Sequence, residues 1–254
     1  MTLKEFLNQS LDSLFESIND KPLFKAIITA GPSGGGKSFV TKNMFSTNKW
    51  FNTPDNVTVI NSDILFELGL DKANLSKKIL QDNKDLFAAQ TAIRNRAKEL
   101  THKKLGHVIN GMGSLLIDGT GADFEKTKRQ IEGLKSLGYD VSMVFINTPL
   151  ELAQKRNARR ERSLDPKLIS FLHKAVSNNL PKYKQLMGND LYIIDNKEIE
   201  KGSEEEKAFK ENLFKLGQKI LNKPLQNPIG KSVIETLRNT GGKYLTDLPD
   251  NKQP

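Results

Sequence analysis

A glycine-rich stretch near the N-terminus constrains this chain more than any other feature. Residues 31–38 read GPSGGGKS and match the spacing G-x-x-x-x-G-K-[ST] of a phosphate-binding P-loop. An apolar run over 24–30 predicts a buried parallel strand before it, and residues 39–45 continue a helix that begins near Gly36. A strand, a glycine-rich loop and a helix N-terminus together direct backbone N–H groups and a positive dipole end towards a phosphate. A chance glycine-rich turn before Lys-Ser would not explain both flanking elements.

The loop itself predicts a nucleotide site. Lys37 can reach β- and γ-phosphates, and Ser38 can offer its hydroxyl to Mg²⁺. We therefore expect ATP or GTP, together with Mg²⁺, as the bound cofactors. The expected nucleotide-binding residues are Gly31, Pro32, Ser33, Gly34, Gly35, Gly36, Lys37, Ser38 and Phe39.

Composition narrows the class of protein. The chain has 254 residues, 37% of them hydrophobic, which suits one α/β domain with extended ends or two small domains. It has no cysteine, which excludes disulfides, thiolate metal sites and a cysteine nucleophile. Because no apolar run approaches the roughly 20 residues that span a bilayer, and residues 1–6 lack a signal-peptide pattern, we expect a cytoplasmic enzyme without a membrane partner. The net charge of +9 favours a nucleotide, sugar nucleotide or nucleic acid as partner, and is equally typical of a basic soluble surface.

Five short apolar runs alternate with patterns typical of helices. This alternation, with the P-loop after the first run, predicts a P-loop NTPase/kinase-like α/β fold, a three-layer sandwich around a mostly parallel five-stranded sheet. The predicted strands lie at 24–30, 57–60, 115–117, 141–146 and 191–194.

We divide the chain into three parts. Amphipathic spacing predicts an N-terminal helix in 1–22, a P-loop kinase domain fills 23–200, and a C-terminal helix and tail occupy 201–254. These helical extensions offer surfaces to a protein partner. Inside the domain, the longest predicted helix covers 86–105, and residues 107–109 are consistent with a short strand.

An aspartate closes the second predicted strand. In open α/β sheets, ligands lie beyond the carboxyl ends of the strands, so Asp63 is placed where an acceptor hydroxyl could meet the γ-phosphate. A carboxylate there can accept the hydroxyl proton as a general base. The alternative is that Asp63 caps a helix that starts at Ile64.

A second aspartate closes the third strand. Asp118 beside a P-loop can hold Mg²⁺ or one of its water ligands, so we predict Ser38 and Asp118 as the metal-binding residues. Thr120 follows it, and either contacts the substrate or starts the next helix. The expected substrate-binding residues are Asp63, Asp118 and Thr120.

A cluster of arginines follows the fourth strand. Arg156 and Arg160 are four residues apart and share a helix face, where they could close over the γ-phosphate as charge spreads onto its oxygens. A solvated charge cluster or a nucleic-acid patch is the alternative. The expected lid residues are Arg156, Arg159, Arg160 and Arg162, and the expected catalytic residues are Lys37, Asp63, Arg156 and Arg160. A second basic stretch, on the polar face of the helix over 86–105, is typical of a solvated face and includes Arg94, Arg96, Lys98, Lys103 and Lys104.

Four segments resemble the zeta-toxin family of P-loop kinases. They are NSD at 61–63, LIDGTG at 116–121, LKSLGYDV at 134–141 and NLP at 179–181. The resemblance covers about 24–196. It implies a kinase dependent on ATP or GTP, of the kind whose well-known members phosphorylate the amino-sugar hydroxyl of UDP-N-acetylglucosamine.

The same resemblance implies roles for the residues already singled out. Lys37 and Ser38 would bind nucleotide and Mg²⁺, and Asp63 would be the base. Asp118 and Thr120 would line the substrate or metal site, and the arginines of 156–162 would form the lid.

Two departures from the family leave the identity of the phosphate acceptor undecided. The family usually has a glutamate where this chain has Asp118, and an arginine often follows the threonine, whereas Gly121 and Ala122 follow here. The segment RNARR at 156–160 looks more like the lid of polynucleotide kinases, yet their D-x-x-R motif is not intact because Phe66 stands three residues after Asp63. We expect an ATP-dependent phosphotransferase acting on a small molecule or sugar nucleotide. The alternatives are a polynucleotide 5′-hydroxyl kinase, a nucleic-acid-stimulated ATPase, or a non-catalytic nucleotide-binding module of a larger assembly.

Overall fold

The computed structural model describes residues 22–45, 57–77, 83–160 and 164–239. The N-terminal helix predicted for 1–22 lies outside the described residues apart from Pro22. The same holds for Arg162 and for residues 240–254 of the predicted tail.

Five strands form one sheet in the order β2-β3-β1-β4-β5. All of the described strand pairings are parallel, which confirms the predicted α/β fold class. The strands are β1 Lys25–Ala30, β2 Val57–Ile60, β3 Ser114–Asp118, β4 Asp140–Asn147 and β5 Leu191–Asp195.

Eight α-helices lie within the described residues and cover both faces of this sheet. They are α1 Lys37–Phe45, α2 Ser62–Lys72, α3 Lys84–Asn110, α4 Phe124–Ser136, α5 Leu150–Ala158, α6 Pro166–Met187, α7 Glu204–Leu221 and α8 Pro228–Asn239. Among them, none is both long enough and apolar enough to cross a membrane.

Successive side chains of the central strand enter two separate hydrophobic cores. Ile27 packs into the core that α1 and α7 cover with Val40 and Leu213, whereas Ile28 packs into the core that α4 covers with Ile131. Because neighbouring side chains of a strand point to opposite faces, a strand covered by helices on both sides buries every residue, and its polar members, here Lys25 and Thr29, need hydrogen-bond partners. This explains why all six residues of β1 are buried.

Helix α3 is longer than the sequence predicted. It runs to Asn110, so residues 107–109 form its last turn, and the prediction of a short strand there was wrong. Val108 and Ile109 pack against the core under α4 from this turn. The N–H groups of Gly111 and Gly113 donate to carbonyls of the same turn, at 3.1 and 2.9 Å, and end the helix.

The C-terminal helices pack on the sandwich. Helix α7 lies so close to α1 that a Cβ at Gly217 would stand 2.1 Å from the carbonyl oxygen of Met44. The segment before α8 is held at the start of β4, where Asp140 accepts hydrogen bonds from Lys25 at 2.8 Å and from two backbone N–H groups at 226 and 227. The predicted domain boundaries at 22/23 and 200/201 stay predictions.

The close contact between α1 and α7 generates a stability prediction. We expect Gly217→Ala to lower the free energy of unfolding by about 2–3 kcal/mol, because the added methyl group overlaps a backbone oxygen that cannot rotate away. Gly133→Ala in α4 is the matched control, since a Cβ there meets nothing within 4 Å. It should raise stability by about 0.5–1 kcal/mol through helix propensity. Chemical denaturation measures both, and equal stability of the two variants would contradict the described packing.

Candidate functional site

The P-loop connects β1 to α1 in a conformation that only glycine adopts readily. Gly34 and Gly36 have φ angles of +78° and +81°, in the left-handed region. A Cβ at Gly34 would stand 2.2 Å from the carbonyl oxygen of Ala153, and one at Gly36 would stand 2.3 Å from Nδ2 of Asn196. The glycines of the motif therefore allow the loop to wrap closely beneath the ends of the neighbouring elements.

One peptide of the loop is held by two buried side chains. The carbonyl oxygen of Gly35 accepts from Thr148 Oγ1 at 2.9 Å and from Asn196 Nδ2 at 2.7 Å. Thr148 is in turn held by His173, whose Nε2 donates to the Thr148 carbonyl at 2.8 Å. In a trans peptide the C=O and the following N–H point in opposite directions, so this clamp also fixes the direction of the Gly36 N–H group.

The lysine of the motif folds into the loop. Lys37 Nζ donates to the carbonyls of Gly31 and Pro32, at 3.0 and 3.1 Å. Burial lowers the pKa of this ammonium, Asp118 and Asp63 raise it, and Arg160 lowers it further. The net result is a lowered pKa of Lys37, and its ammonium lies within range of the charges of Asp63, Asp118 and Arg160.

Asp118 is oriented by the sheet and by the residue that follows β2. Thr29 and Asp118 are register partners in β1 and β3, and Thr29 Oγ1 donates to Asp118 Oδ1 at 3.0 Å. Asn61 Nδ2 donates to the other carboxylate oxygen at 2.7 Å. The carboxylate is thus fixed beside the start of the P-loop.

The donor set near Asp118 suits a magnesium ion. The hydroxyl of Ser38, in the first turn of α1, and the carboxylate of Asp118 line the same cleft. Mg²⁺ prefers such oxygen ligands and is commonly held by one or two protein groups together with substrate phosphates. The described residues contain no cluster of three or more His, Cys, Asp or Glu side chains that could hold a metal by themselves. The residues present fit an ion that is shared with a nucleotide.

Asp63 lies in the first turn of α2 and does not cap it. The side chain of Asn61 is the N-cap and accepts from the Asp63 N–H at 2.8 Å. The alternative interpretation, in which Asp63 caps a helix that starts at Ile64, is therefore wrong. The Asp63 carboxylate instead lines the cleft, where Arg94 Nη1 lies 3.4 Å from its Oδ1.

A cleft of about 1220 Å³ brings half of the predicted site residues together. Thr120 lies in it, and its carbonyl accepts from the N–H of Gly31 at 2.9 Å. Helix α4 begins later and is capped by Asp123, so Thr120 does not start that helix. The predicted site residues that line the cleft are Ser33, Lys37, Ser38, Phe39, Asp63, Asp118, Thr120 and Arg160.

A smaller pocket of about 230 Å³ adjoins the loop at Gly36 and is lined by Arg156, the first of the predicted lid arginines. Arg156 Nη2 donates to the Lys197 carbonyl at 3.2 Å, while its buried Nη1 has no hydrogen-bond partner among the described residues. Helix α7 supplies one wall, where Phe209 stacks on Phe39 with ring centroids 6.3 Å apart and an interplanar angle of 12°. The sequence did not indicate that this C-terminal helix contributes to a pocket.

The predicted lid is divided between these two spaces. Arg160 is exposed and lines the large cleft, whereas Arg156 lines the small pocket. Arg159 is exposed and lines neither of them. It lies near Glu198, whose pKa is lowered mainly by the hydrogen bond from Lys155 at 2.6 Å and further by the charge of Arg159. Arg162 lies outside the described residues.

One wall of the cleft was not predicted from the sequence. Arg94 and Lys98 were assigned to a solvated face of the helix now defined as α3, and both line the cleft with Glu67 and Lys77. Their four-residue spacing places them on one helix face, but which face meets the site depends on how α3 packs on α2. Thr148 and Asn196 were missed as well, because nothing in a single threonine or asparagine after a strand indicates a contact with the loop.

The sequence has a clear family assignment. Residues 27–173, more than half of the chain, match the family described as AAA domain. No curated protein matches the sequence.

Several solved structures have a similar fold. The AvrRxo1-ORF1:AvrRxo1-ORF2 complex with sulphate ions gives a TM-score of 0.53 at 14% identity, over 92% of this chain and 83% of that one. The same complex with ATP gives 0.51 at 16% identity, over 73% of this chain and 58% of that one. The PezAT toxin–antitoxin system of Streptococcus pneumoniae gives 0.49 at 19% identity, over 87% and 95%. The chain thus belongs to the AAA domain family and has the P-loop kinase-like fold that the sequence resemblance implied.

Proposed function

We propose that this protein is a phosphotransferase that moves the γ-phosphate of ATP to a hydroxyl of a small-molecule or sugar-nucleotide acceptor. The observation that carries the proposal is the cleft in which Lys37 of the P-loop lies with Asp63 and Asp118. A kinase needs a cation for the transferred phosphate, a carboxylate for the acceptor proton and oxygen ligands for a metal. The cleft holds all three kinds of group.

The donor side would be organised by the P-loop. Its N–H groups and the N-terminus of α1 would hold the phosphates, with Lys37 on the β- and γ-phosphates. The nucleobase of ATP, or of GTP, would occupy the small pocket, against Phe39 and the Arg156 guanidinium. A protein of the same fold was solved with ATP, which agrees with this assignment.

Ser38 and Asp118 would hold Mg²⁺ on this donor side. When bound, the ion supplies positive charge that neutralises the phosphate oxygens. Thr29 and Asn61 would keep the Asp118 carboxylate aimed for that purpose, since each donates to one of its oxygens.

On the acceptor side, Asp63 would act as the general base. It would take the proton of the acceptor hydroxyl as that oxygen bonds to the γ-phosphorus and the bond to the β,γ-bridging oxygen breaks, which releases ADP. Lys37 and Arg160 would stabilise the charge on the transferred phosphate, and Thr120 would contact the acceptor.

A polynucleotide 5′-hydroxyl kinase is the second candidate. The basic face of α3, which enters the cleft at Arg94 and Lys98, favours it. We also propose a protein partner that contacts the terminal extensions. The AvrRxo1-ORF1:AvrRxo1-ORF2 structures, which have a similar fold, contain a complex of two proteins.

The base assignment is tested by Asp63→Asn. We expect phosphate transfer to fall by at least about 100-fold, because an amide cannot accept the hydroxyl proton. Binding of a non-hydrolysable ATP analogue should change by less than about twofold, which is within ordinary surface-mutation effects. Transfer is measured with γ-labelled ATP and two acceptors, UDP-N-acetylglucosamine and a 5′-hydroxyl oligonucleotide. Label on neither acceptor with the wild-type protein would favour a non-catalytic module or an ATPase.

Asp85→Asn is the matched control, since Asp85 is an exposed aspartate in the first turn of α3. It should transfer phosphate at the wild-type rate. An Asp63→Asn protein that keeps more than a tenth of the wild-type rate would contradict the role of Asp63 as base.

The clamp on the P-loop gives a second prediction, about nucleotide affinity. Thr148→Val keeps the side-chain shape but removes the hydroxyl that donates to Gly35, and we expect the Kd for the ATP analogue to rise about tenfold. Thr148→Ser keeps the hydroxyl and should bind like the wild type. Calorimetric titration measures both affinities. If the valine and serine variants bind equally well, the clamp does not set the loop geometry.

A further inference from the structure

Two cations on α3 form part of the cleft wall that also contains the proposed base. Arg94 and Lys98 are four residues apart on one helix face, and both line the cleft with Asp63. Four residues of an α-helix extend about 6 Å along its axis. A positively charged strip of this length therefore runs away from Asp63 along the wall.

Packing between α2 and α3 holds this strip in place. Phe66 and Leu70 of α2 and Ala97 of α3 form a small buried core of their own. At Gly69 the helices approach so closely that a Cβ would stand 2.4 Å from the Ile93 side chain. The position of α3 relative to Asp63 is thus set by side-chain contacts.

Arg94 is oriented by two contacts of its own. Its guanidinium lies 4.7 Å from the centroid of the Phe66 ring, and its Nη1 lies 3.4 Å from Asp63. A guanidinium carries five N–H donors in a planar fork. Pairing with Asp63 uses one edge of that fork, so the group keeps donors for a second anion while it holds the carboxylate.

The carboxylates of Asp63 and Glu67 balance the charges of Arg94 and Lys98 in this wall, so its attraction for an anion comes from the placement of the two cations and not from a net positive charge. Lys77 forms an ion pair with Asp71 at 3.0 Å, and Glu67 adds one more carboxylate. Lys98 has no ion pair or hydrogen bond among those found in the described part of the chain. It is four residues beyond Arg94, so it is placed to share an anion with Arg94.

We propose that Arg94 and Lys98 form a subsite for a phosphate group that the acceptor itself carries, beside the hydroxyl that reacts at Asp63. The inference rests on the proposed phosphotransferase function and deepens it by naming the acceptor class. Nucleotides, sugar nucleotides and 5′-hydroxyl polynucleotides all have such a phosphate, whereas neutral sugars and other neutral alcohols do not. Arg94 also positions Asp63, so a bound phosphate and the base are aligned by the same guanidinium.

Binding measurements separate this subsite from catalysis. The wild-type protein is saturated with Mg²⁺ and a non-hydrolysable ATP analogue and then titrated with three probes. They are UDP-N-acetylglucosamine, a 5′-hydroxyl oligonucleotide and neutral N-acetylglucosamine. We expect at least one phosphate-bearing probe to bind at least about tenfold more tightly than the neutral sugar, because it gains charge-assisted hydrogen bonds. Which of the two phosphate-bearing probes binds distinguishes the small-molecule source from the polynucleotide source.

A charge-matched pair of variants tests the residues. Arg94→Met/Lys98→Met should weaken binding of the phosphate-bearing probe by at least about tenfold and leave the neutral sugar unaffected. Arg96→Met/Lys103→Met removes the same net charge from exposed positions of α3 that pair with Glu99, and should bind the probe like the wild type. This control separates a local subsite from the general attraction of a basic protein.

Three results would overturn the subsite. The first is a neutral sugar that binds as tightly as the phosphate-bearing probes. The second is that neither phosphate-bearing probe binds. The third is that the two double variants lose probe affinity to the same extent. In each of these cases the ATP analogue would still bind at the P-loop. Failure of the analogue to bind the wild-type protein would instead remove the proposed function on which the subsite rests.

Discussion

The register between β1 and β3 is the constraint on which the rest of the site depends. It pairs Thr29 with Asp118. The strand β1, which leads into the P-loop, therefore ends beside the end of β3, where the Asp118 carboxylate lies. Parallel strands deliver their carboxyl ends to one edge of a sheet, and here that edge also receives Asn61, the residue that follows β2. A slip of one residue would turn Asp118 to the opposite face. It would remove both hydrogen bonds that orient the carboxylate.

Two groups of helices outside the sheet add further side chains to the site at the sheet edge. The α2/α3 pair brings Arg94 to Asp63, and α7 brings Phe209 to the first helix after the loop. Both depend on glycines that allow close helix contact, at Gly69 and Gly217. The small pocket and the α2/α3 wall of the large cleft are therefore formed by packing of helices onto the P-loop sheet.

Residues at strand ends could be predicted from the sequence, and residues on helix faces could not. The P-loop, Asp63 and Asp118 each follow an apolar run, and a parallel sheet brings such positions together whatever the details of packing. Arg94, by contrast, has the same local pattern as the solvated arginine two residues later, so only the packing of α3 on α2 distinguishes them. The division of the lid arginines between two spaces likewise depends on where α5 ends relative to β5. The last turn of α3 was misjudged because a segment as short as 107–109, with two apolar residues, fits a helix and a strand equally well.

The central claim is that a nucleotide bound at the P-loop presents its γ-phosphate to Asp63. A crystal structure with Mg²⁺ and a non-hydrolysable ATP analogue tests it most directly. We expect the γ-phosphate against Lys37 and on the Asp63 side of the large cleft, with the nucleobase between Arg156 and the Phe39–Phe209 pair. A γ-phosphate turned away from Asp63, or a nucleotide bound elsewhere, would contradict it.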